Sequence, residues 1–291
     1  VTTLGGRLYA GLPTSVRRLV PVDLRSDLRA RFAAWEPGDL GFEPAPPPVA
    51  PGEHPGPPDF LVLGPPESGA RWWLSLIEDH PDVAPTRDPE GAAHALDRYC
   101  TEAFDDEQVA RFHRRFPRRP GRIIGHWSSD GLSYPWIAPL LAVAAPRAKV
   151  LVLVRDPVDL VADRVVATAA RRAPHPGSSL ADAVDRGFVG AQVARLRELF
   201  PADAVRVLQY ERCRADSTGA LAATYRFLGV PVPDGPALPH PADGTTPAPA
   251  ERLDAATRAR LWAMYVDDTA LLAELVPDLD LGRWPSSGSG A

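Results

Sequence analysis

The chain has 291 residues, 45% hydrophobic and 24% charged, enough to bury a sizeable core in one α/β domain or two smaller ones. A formal net charge of −5 excludes a global basic field for nucleic acid. Cys100 and Cys213 are the only cysteines, which excludes a disulfide framework and a cysteine metal cluster and points to a cytoplasmic setting. The first residues lack the basic-then-apolar pattern of a signal. The apolar stretch from Trp136 to Ala145 is short and contains Pro139, so no membrane span is expected. Lys149 is the only lysine, so any cation needed near a phosphate must be an arginine.

Residues 1–58 read as an N-terminal arm, with a short helix over Val16 to Phe32 and an extended Pro-rich connector from Pro44 to Pro58. A core domain follows over 59–285. Short apolar runs predict strands at Phe60–Leu63, Arg122–Gly125, Lys149–Val154 and Val205–Gln209, of the kind buried on both faces. The Arg-rich run from Arg111 to Arg119 reads as a solvated helix end and turn. Apolar residues at Val184, Phe188, Val193, Leu196 and Leu199 predict a helix over Ser179–Phe200. A second helix is expected over Asp216–Leu228, capped by Asp216 and stopped by Gly229, and a last one from about Glu251 to Val276. The end, 286–291, reads as a disordered tail. Alternating strands and helices argue for an α/β fold of three layers, a central parallel sheet flanked by helices.

Strand Phe60–Leu63 runs into a Gly/Pro/Ser turn and then an amphipathic segment beginning at Arg71. A strand, a tight loop and a helix N-terminus together gather backbone N–H groups and the helix dipole on one spot, as in P-loop NTPase-like folds. Gly64-Pro-Pro-Glu-Ser-Gly69 has the spacing of G-x-x-x-x-G-K-[ST], but Ala70 and Arg71 stand at the Lys and Ser/Thr positions. The lysine for terminal phosphates and the hydroxyl for magnesium are both missing, so a P-loop kinase or other magnesium NTPase ranks last. His54, His80, His94, His113, His175 and His240 show no metal-ligand spacing, and no metal is implied.

Pro66-Glu67-Ser68-Gly69-Ala70-Arg71-Trp72 also falls on P-K-x-G-T-[ST] followed by an aromatic residue or Leu. That loop is the one of the sulfotransferases that use 3′-phosphoadenosine-5′-phosphosulfate (PAPS). Further segments follow in order: Gly125-His-Trp-Ser-Ser129; Arg155-Asp-Pro-Val-Asp159 after an apolar strand; Tyr210-Glu-Arg-Cys213; and Phe227-Leu-Gly229. Together with Trp72-Trp73, Pro135-Trp136 and the stretch from Tyr265 to Trp284, the chain resembles a bacterial, actinobacterial-type sulfotransferase over residues 57–285. The resemblance implies PAPS as co-substrate, and a small molecule or glycan of secondary metabolism as acceptor. It implies a cofactor site of Pro66, Glu67, Ser68, Gly69, Ala70, Arg71, Trp72, Arg155 and Asp163. Arg155 would grip the 3′-phosphate, for which a planar guanidinium fork is suited. Arg71 would take the leaving-group charge, and His126, at the place of a family glutamate, would be the base.

The chain departs from the family at charged positions. Glu67 replaces the lysine that follows the transferring sulfonate, Ala70 and Arg71 replace two hydroxyl residues, and Asp163 replaces a serine eight residues after Arg155. A unit-charge pair at ~4 Å is worth about 4 kcal/mol at an effective dielectric near 20. A micromolar ligand has only about 8 kcal/mol of binding free energy in total, so acids at both phosphate sites oppose binding. Arg71 and Arg164 are the candidate compensating cations. The alternative expectation is a non-catalytic relative with a binding or regulatory role.

Overall fold

The computed structural model describes residues 46, 48–87, 95–96, 104–170, 180–233 and 253–288. The expected helix over Val16 to Phe32, residues 234–252, Cys100, His94, His175 and His240 lie outside them. The described residues fall into two compact units, 46–154 with 197–233 and 155–196 with 253–288.

The first unit is built on a parallel sheet of β2 (Phe60–Leu63), β3 (Val83–Ala84), β5 (Ile123–Ser128), β6 (Lys149–Val154) and β7 (Val205–Gln209), in the order β3-β5-β2-β6-β7. β2, β6 and β7 have the bounds that the apolar runs predict, and β5 runs three residues further, to Ser128. A two-residue β1 (His54–Pro55) pairs antiparallel with β4 (Pro117–Arg118). Neither short strand carries a periodic signal, and each is fixed only by its partner.

Alternation sorts the sheet residues between two faces. Phe60 and Val62 pair with Gly125 and Trp127, and all but Gly125 lie in one apolar cluster with Leu151, Leu153 and Leu208. Helix α1 (Ala70–Glu78) and helices α7 (Tyr210–Ala215) and α8 (Ser217–Leu228) join that cluster through Trp73, Ile77, Cys213, Leu221 and Tyr225, among others. Two hydrogen bonds tie α1 to α8: Trp73 Nε1 donates to Thr224 Oγ1 at 3.3 Å, and the Tyr225 hydroxyl donates to the Leu76 carbonyl at 3.1 Å. The opposite face carries α2 (Asp106–His113) and α3 (Ile137–Ala144), joined where His113 Nε2 lies 2.7 Å from the Ala144 carbonyl. A sheet with helices on both faces makes this unit a three-layer α/β structure, as expected from the sequence.

The Arg-rich run is less solvated than expected. Phe112, Arg115 and Phe116 are buried, Arg118 pairs with Asp59, and Arg119 meets Glu53 at 3.0 Å. No helix among the described residues is long and apolar enough to cross a membrane.

The second unit holds α4 (Pro157–Ala170), α5 (Leu180–Asp185), the start of α6 (Val189–Leu199) and α9 (Ala255–Leu275). The single helix expected over Ser179–Phe200 is broken after Asp185, because α9 comes too close for a continuous helix. A Cβ on Gly187 would lie 2.6 Å from the Tyr265 ring, and one on Gly190 would lie 2.2 Å from the Asp268 carbonyl oxygen. The new N-terminus is capped from α9: Asp268 accepts from the Gly190 and Ala191 amides at 2.7 and 2.8 Å. Burial nonetheless raises the Asp268 carboxyl to about 6. Phe188 packs on Tyr265 with ring centroids 4.9 Å apart, a core contact. Ser286, expected in the tail, is buried; its amide donates to Asp156 at 2.9 Å and its hydroxyl lies 2.6 Å from Arg258 Nη1.

Candidate functional site

The chain leaves β2 at the sheet's switch point: β3 and β5 lie to one side of β2, β6 and β7 to the other. Open α/β sheets bind ligands outside the carboxyl ends of strands at such points. The loop found there is a turn of 3-10 helix, Pro66–Ser68, followed by Gly69 at φ 83° and then α1. Gly69 meets two demands at once. Its φ is in the left-handed region, and a Cβ would come within 2.6 Å of the Tyr210 ring at the end of β7.

Three of the loop's amides are taken up within it. Pro65 and Pro66 have no N–H. The Ser68 amide donates to the Pro65 carbonyl at 2.9 Å, the Gly69 amide to the Pro66 carbonyl at 3.3 Å, and the Ala70 amide to Ser68 Oγ at 3.3 Å. Ser68 Oγ donates in turn to the Pro65 carbonyl at 2.7 Å. A backbone phosphate cradle needs such amides turned outward. The Ser68, Gly69 and Ala70 amides are instead engaged within the loop. Pro66 is exposed, Ser68 and Ala70 are fully buried, and Glu67 is 7% exposed. Trp72 is buried edge-on against Tyr210 and Trp73, with the Arg214 guanidinium 6.0 Å from its ring centroid.

Arg71 is exposed on the first turn of α1, its guanidinium 5.5 Å from the centroid of the Trp127 ring. Trp127 in turn donates its indole N–H to the Gly64 carbonyl at 3.1 Å. The strand end and the loop are thus fastened by one side chain, which also supports the loop's cation. Trp127 and Tyr210 stand in the sequence motifs without a role of their own. The period-2 alternation of β5 was the available signal for Trp127.

The same alternation sends His126 the other way. It pairs with Leu61 in the sheet, has no exposed surface, and lies between the Phe112 and Phe116 rings at 5.3 Å from each. Neither ring nitrogen has a hydrogen-bond partner among the described residues. Burial, with a smaller contribution from the Arg115 guanidinium, pushes its pKa down to about 3. An imidazole in an apolar aromatic pocket, on the sheet face opposite Arg71, does not meet the geometric requirement for a base beside that cation. Arg71 and His126 are not brought together, because adjacent strand residues point to opposite faces.

In the second unit, Arg155 follows directly after β6, and Asp156 caps α4 by accepting from the Val158 amide at 2.9 Å. Arg155 Nη1 lies 2.7 Å from Asp163 Oδ2, with side-chain exposures of 12% and 5%. Arg164 is half-buried beside them on α4. The acid expected to oppose a 3′-phosphate is therefore held against the arginine expected to bind one. These residues do not fit a 3′-phosphate as they stand.

Residues 131–234 match a family model described as the sulfotransferase family. Among solved structures the chain is similar to the sulfotransferase from Alicyclobacillus acidocaldarius, with a TM-score of 0.57 and 22% identity, covering 78% of this chain and 98% of that one. It is also similar to the sulfotransferase domain of the Synechococcus PCC 7002 olefin synthase, with a TM-score of 0.47 and 17% identity, covering 80% of this chain and 100% of that one. No curated protein matches the sequence. The protein thus has the α/β, P-loop-like fold of a sulfotransferase. The segment that matches the family model contains Arg155, Asp163 and Tyr210. The loop from Gly64 to Arg71 and His126 lie outside that segment.

Proposed function

We propose that the protein is a sulfotransferase that passes a sulfonate from a phosphosulfate nucleotide to a hydroxyl or amine of a small molecule or glycan. PAPS is the donor that the sequence resemblance implies. The observation carrying this reading is Arg71, an exposed guanidinium held over Trp127 on the first turn of a helix that starts at the sheet's switch point. A cation and a helix dipole together favour an anionic group there. The matched family segment supports the class of reaction.

One observation favours a second reading, a non-catalytic sulfotransferase-fold protein with a binding or regulatory role. Glu67 puts a buried carboxylate into a loop whose Ser68, Gly69 and Ala70 amides are engaged within it, and His126 is seated away from that loop. Calorimetric titration separates the two. Adenosine 5′-monophosphate and 3′,5′-adenosine bisphosphate are titrated into the wild-type chain and into Arg71→Ala. Binding of either nucleotide that weakens at least tenfold in Arg71→Ala supports the donor site. No heat from either at millimolar concentration sinks it and leaves the non-catalytic reading.

A further inference from the structure

We infer that Asp130 is the catalytic base of the proposed transfer, held in place by Ser129. The inference rests on the transferase reading above and uses residues of the first unit alone. β2 and β5 run side by side and parallel, with Leu63 opposite Ser128, so the Gly64 loop and the turn after β5 leave the sheet at the same level. The Gly64 amide donates to the Ser128 carbonyl at 3.4 Å, and a Cβ on Gly131 would come within 2.8 Å of the Leu63 side chain. Asp130 therefore stands beside the loop that leads to Arg71, three residues after the Trp127 ring against which that guanidinium rests. It is also the first titratable side chain after His126, which the sheet turns to the other face.

The turn holds this carboxylate firmly. Asp130 and Ser129 are both buried, and the Ser129 hydroxyl donates to Asp130 Oδ2 at 2.6 Å. The Tyr134 amide donates to the Asp130 carbonyl at 2.9 Å, and the Tyr134 ring stacks on Trp136 at 4.8 Å, so backbone and side chain are both fixed. An ionised carboxylate has about four acceptor sites on its two oxygens, so it can hold the serine hydroxyl and take an acceptor O–H as well. In the transfer the acceptor oxygen bonds to sulfur while its proton passes to Asp130. The bond from sulfur to the bridging phosphate oxygen breaks, its electron pair leaves with the nucleotide phosphate, and Arg71 meets that charge. Asp130 then returns its proton to water. Glu67, the buried carboxylate of the loop itself, is the competing base. It shares its loop with Arg71, where the departing charge gathers, whereas an in-line transfer takes up the proton on the far side of the sulfur. The neighbouring strand end meets that demand.

The test uses the full chain with PAPS as donor and two acceptors, phenol and 4-nitrophenol, on wild type, Asp130→Asn, Ser129→Ala and Glu67→Gln. Near neutral pH 4-nitrophenol is largely ionised and needs no base, whereas phenol keeps its proton. Asp130→Asn is expected to lower kcat for phenol by about a hundredfold or more and for 4-nitrophenol by less than about tenfold, with nucleotide affinity unchanged by calorimetry. Ser129→Ala is expected to show the same selective loss to a smaller degree, and it carries the comparison if circular dichroism finds Asp130→Asn unfolded. No loss on phenol, or equal losses on both acceptors, overturns the inference and leaves the transferase standing. So does a phenol-selective loss in Glu67→Gln that Asp130→Asn lacks. A wild type that binds nucleotide but moves no sulfonate from PAPS to phenol, 4-nitrophenol or water overturns the inference and the transferase reading together.

Discussion

The two faces of β5 differ in what they do with a polar side chain. On one, Trp127 finds a partner for its indole N–H and carries Arg71 at the rim of the loop. On the other, His126 is enclosed by phenyl rings, with no polar partner among the described residues. They are consecutive residues on a single strand. The face with α1 and α8 is tied to the loop by the Trp127 indole, whereas the face with α2 holds its imidazole by packing. The lesson is that position within a motif fixes a residue's place along a strand, but strand parity fixes which chemistry it can join.

Four perturbations break or sharpen this contrast. The largest is Trp73→Ala on the α1 face. The ring is fully buried, so its loss is expected to cost about 3–5 kcal/mol, read as a lowered urea midpoint. On the opposite face, His126→Leu is expected to change the pH dependence more than the stability at neutral pH. The wild-type imidazole is neutral in the fold with its pKa lowered to about 3, against 6.5 when unfolded, so the unfolded state binds the extra proton as pH falls between those values. Stability is therefore present above 6.5 and is lost on acidification, by about 1.4 kcal/mol per pH unit within the window. In His126→Leu that slope should disappear; an acid limb identical to wild type would contradict the pocket.

Thr224→Val removes the acceptor of the Trp73 indole and keeps the side-chain volume. A loss of about 1 kcal/mol is expected, and a neutral result would show that this bond does not secure α1 to α8. Arg71→Ala comes last for stability. An exposed cation–π contact is worth about 0.5–1 kcal/mol, so the melting temperature should shift little while nucleotide binding falls at least tenfold. A variant that melts early without losing binding would make Arg71 a packing residue.

In the second unit the pH dependence runs the other way. The Asp268 carboxyl is raised to about 6 from 3.8, chiefly by burial. Its contribution is complete below 3.8 and lost as pH rises through about 6, opposite in sign to that of His126. The two windows overlap, so the two groups oppose one another in the acid range, and Asp268→Asn should steepen the acid loss that His126→Leu removes.

Much of the sheet was legible from the sequence because strands buried on both faces must be continuous apolar runs: β2, β6 and β7 have their expected bounds. The caps of α8 were legible too, since Asp216 accepts from the Gly219 amide and Gly229 ends the helix by local chemistry. The two-residue strands were not legible, and neither was the break between α5 and α6, because both depend on partners distant in the chain. The charge substitutions at Glu67 and Asp163 could also be read directly. What the sequence determined by itself, then, was the strand-loop-helix frame, the family resemblance and the identity of the altered charges, all set by local pattern. The tertiary structure alone decided that Asp163 lies against Arg155, that the Ser68, Gly69 and Ala70 amides are engaged within the loop, and that His126 and Arg71 occupy opposite faces. Those outcomes follow from where side chains point and which distant groups they meet, and no stretch of sequence encodes that in isolation.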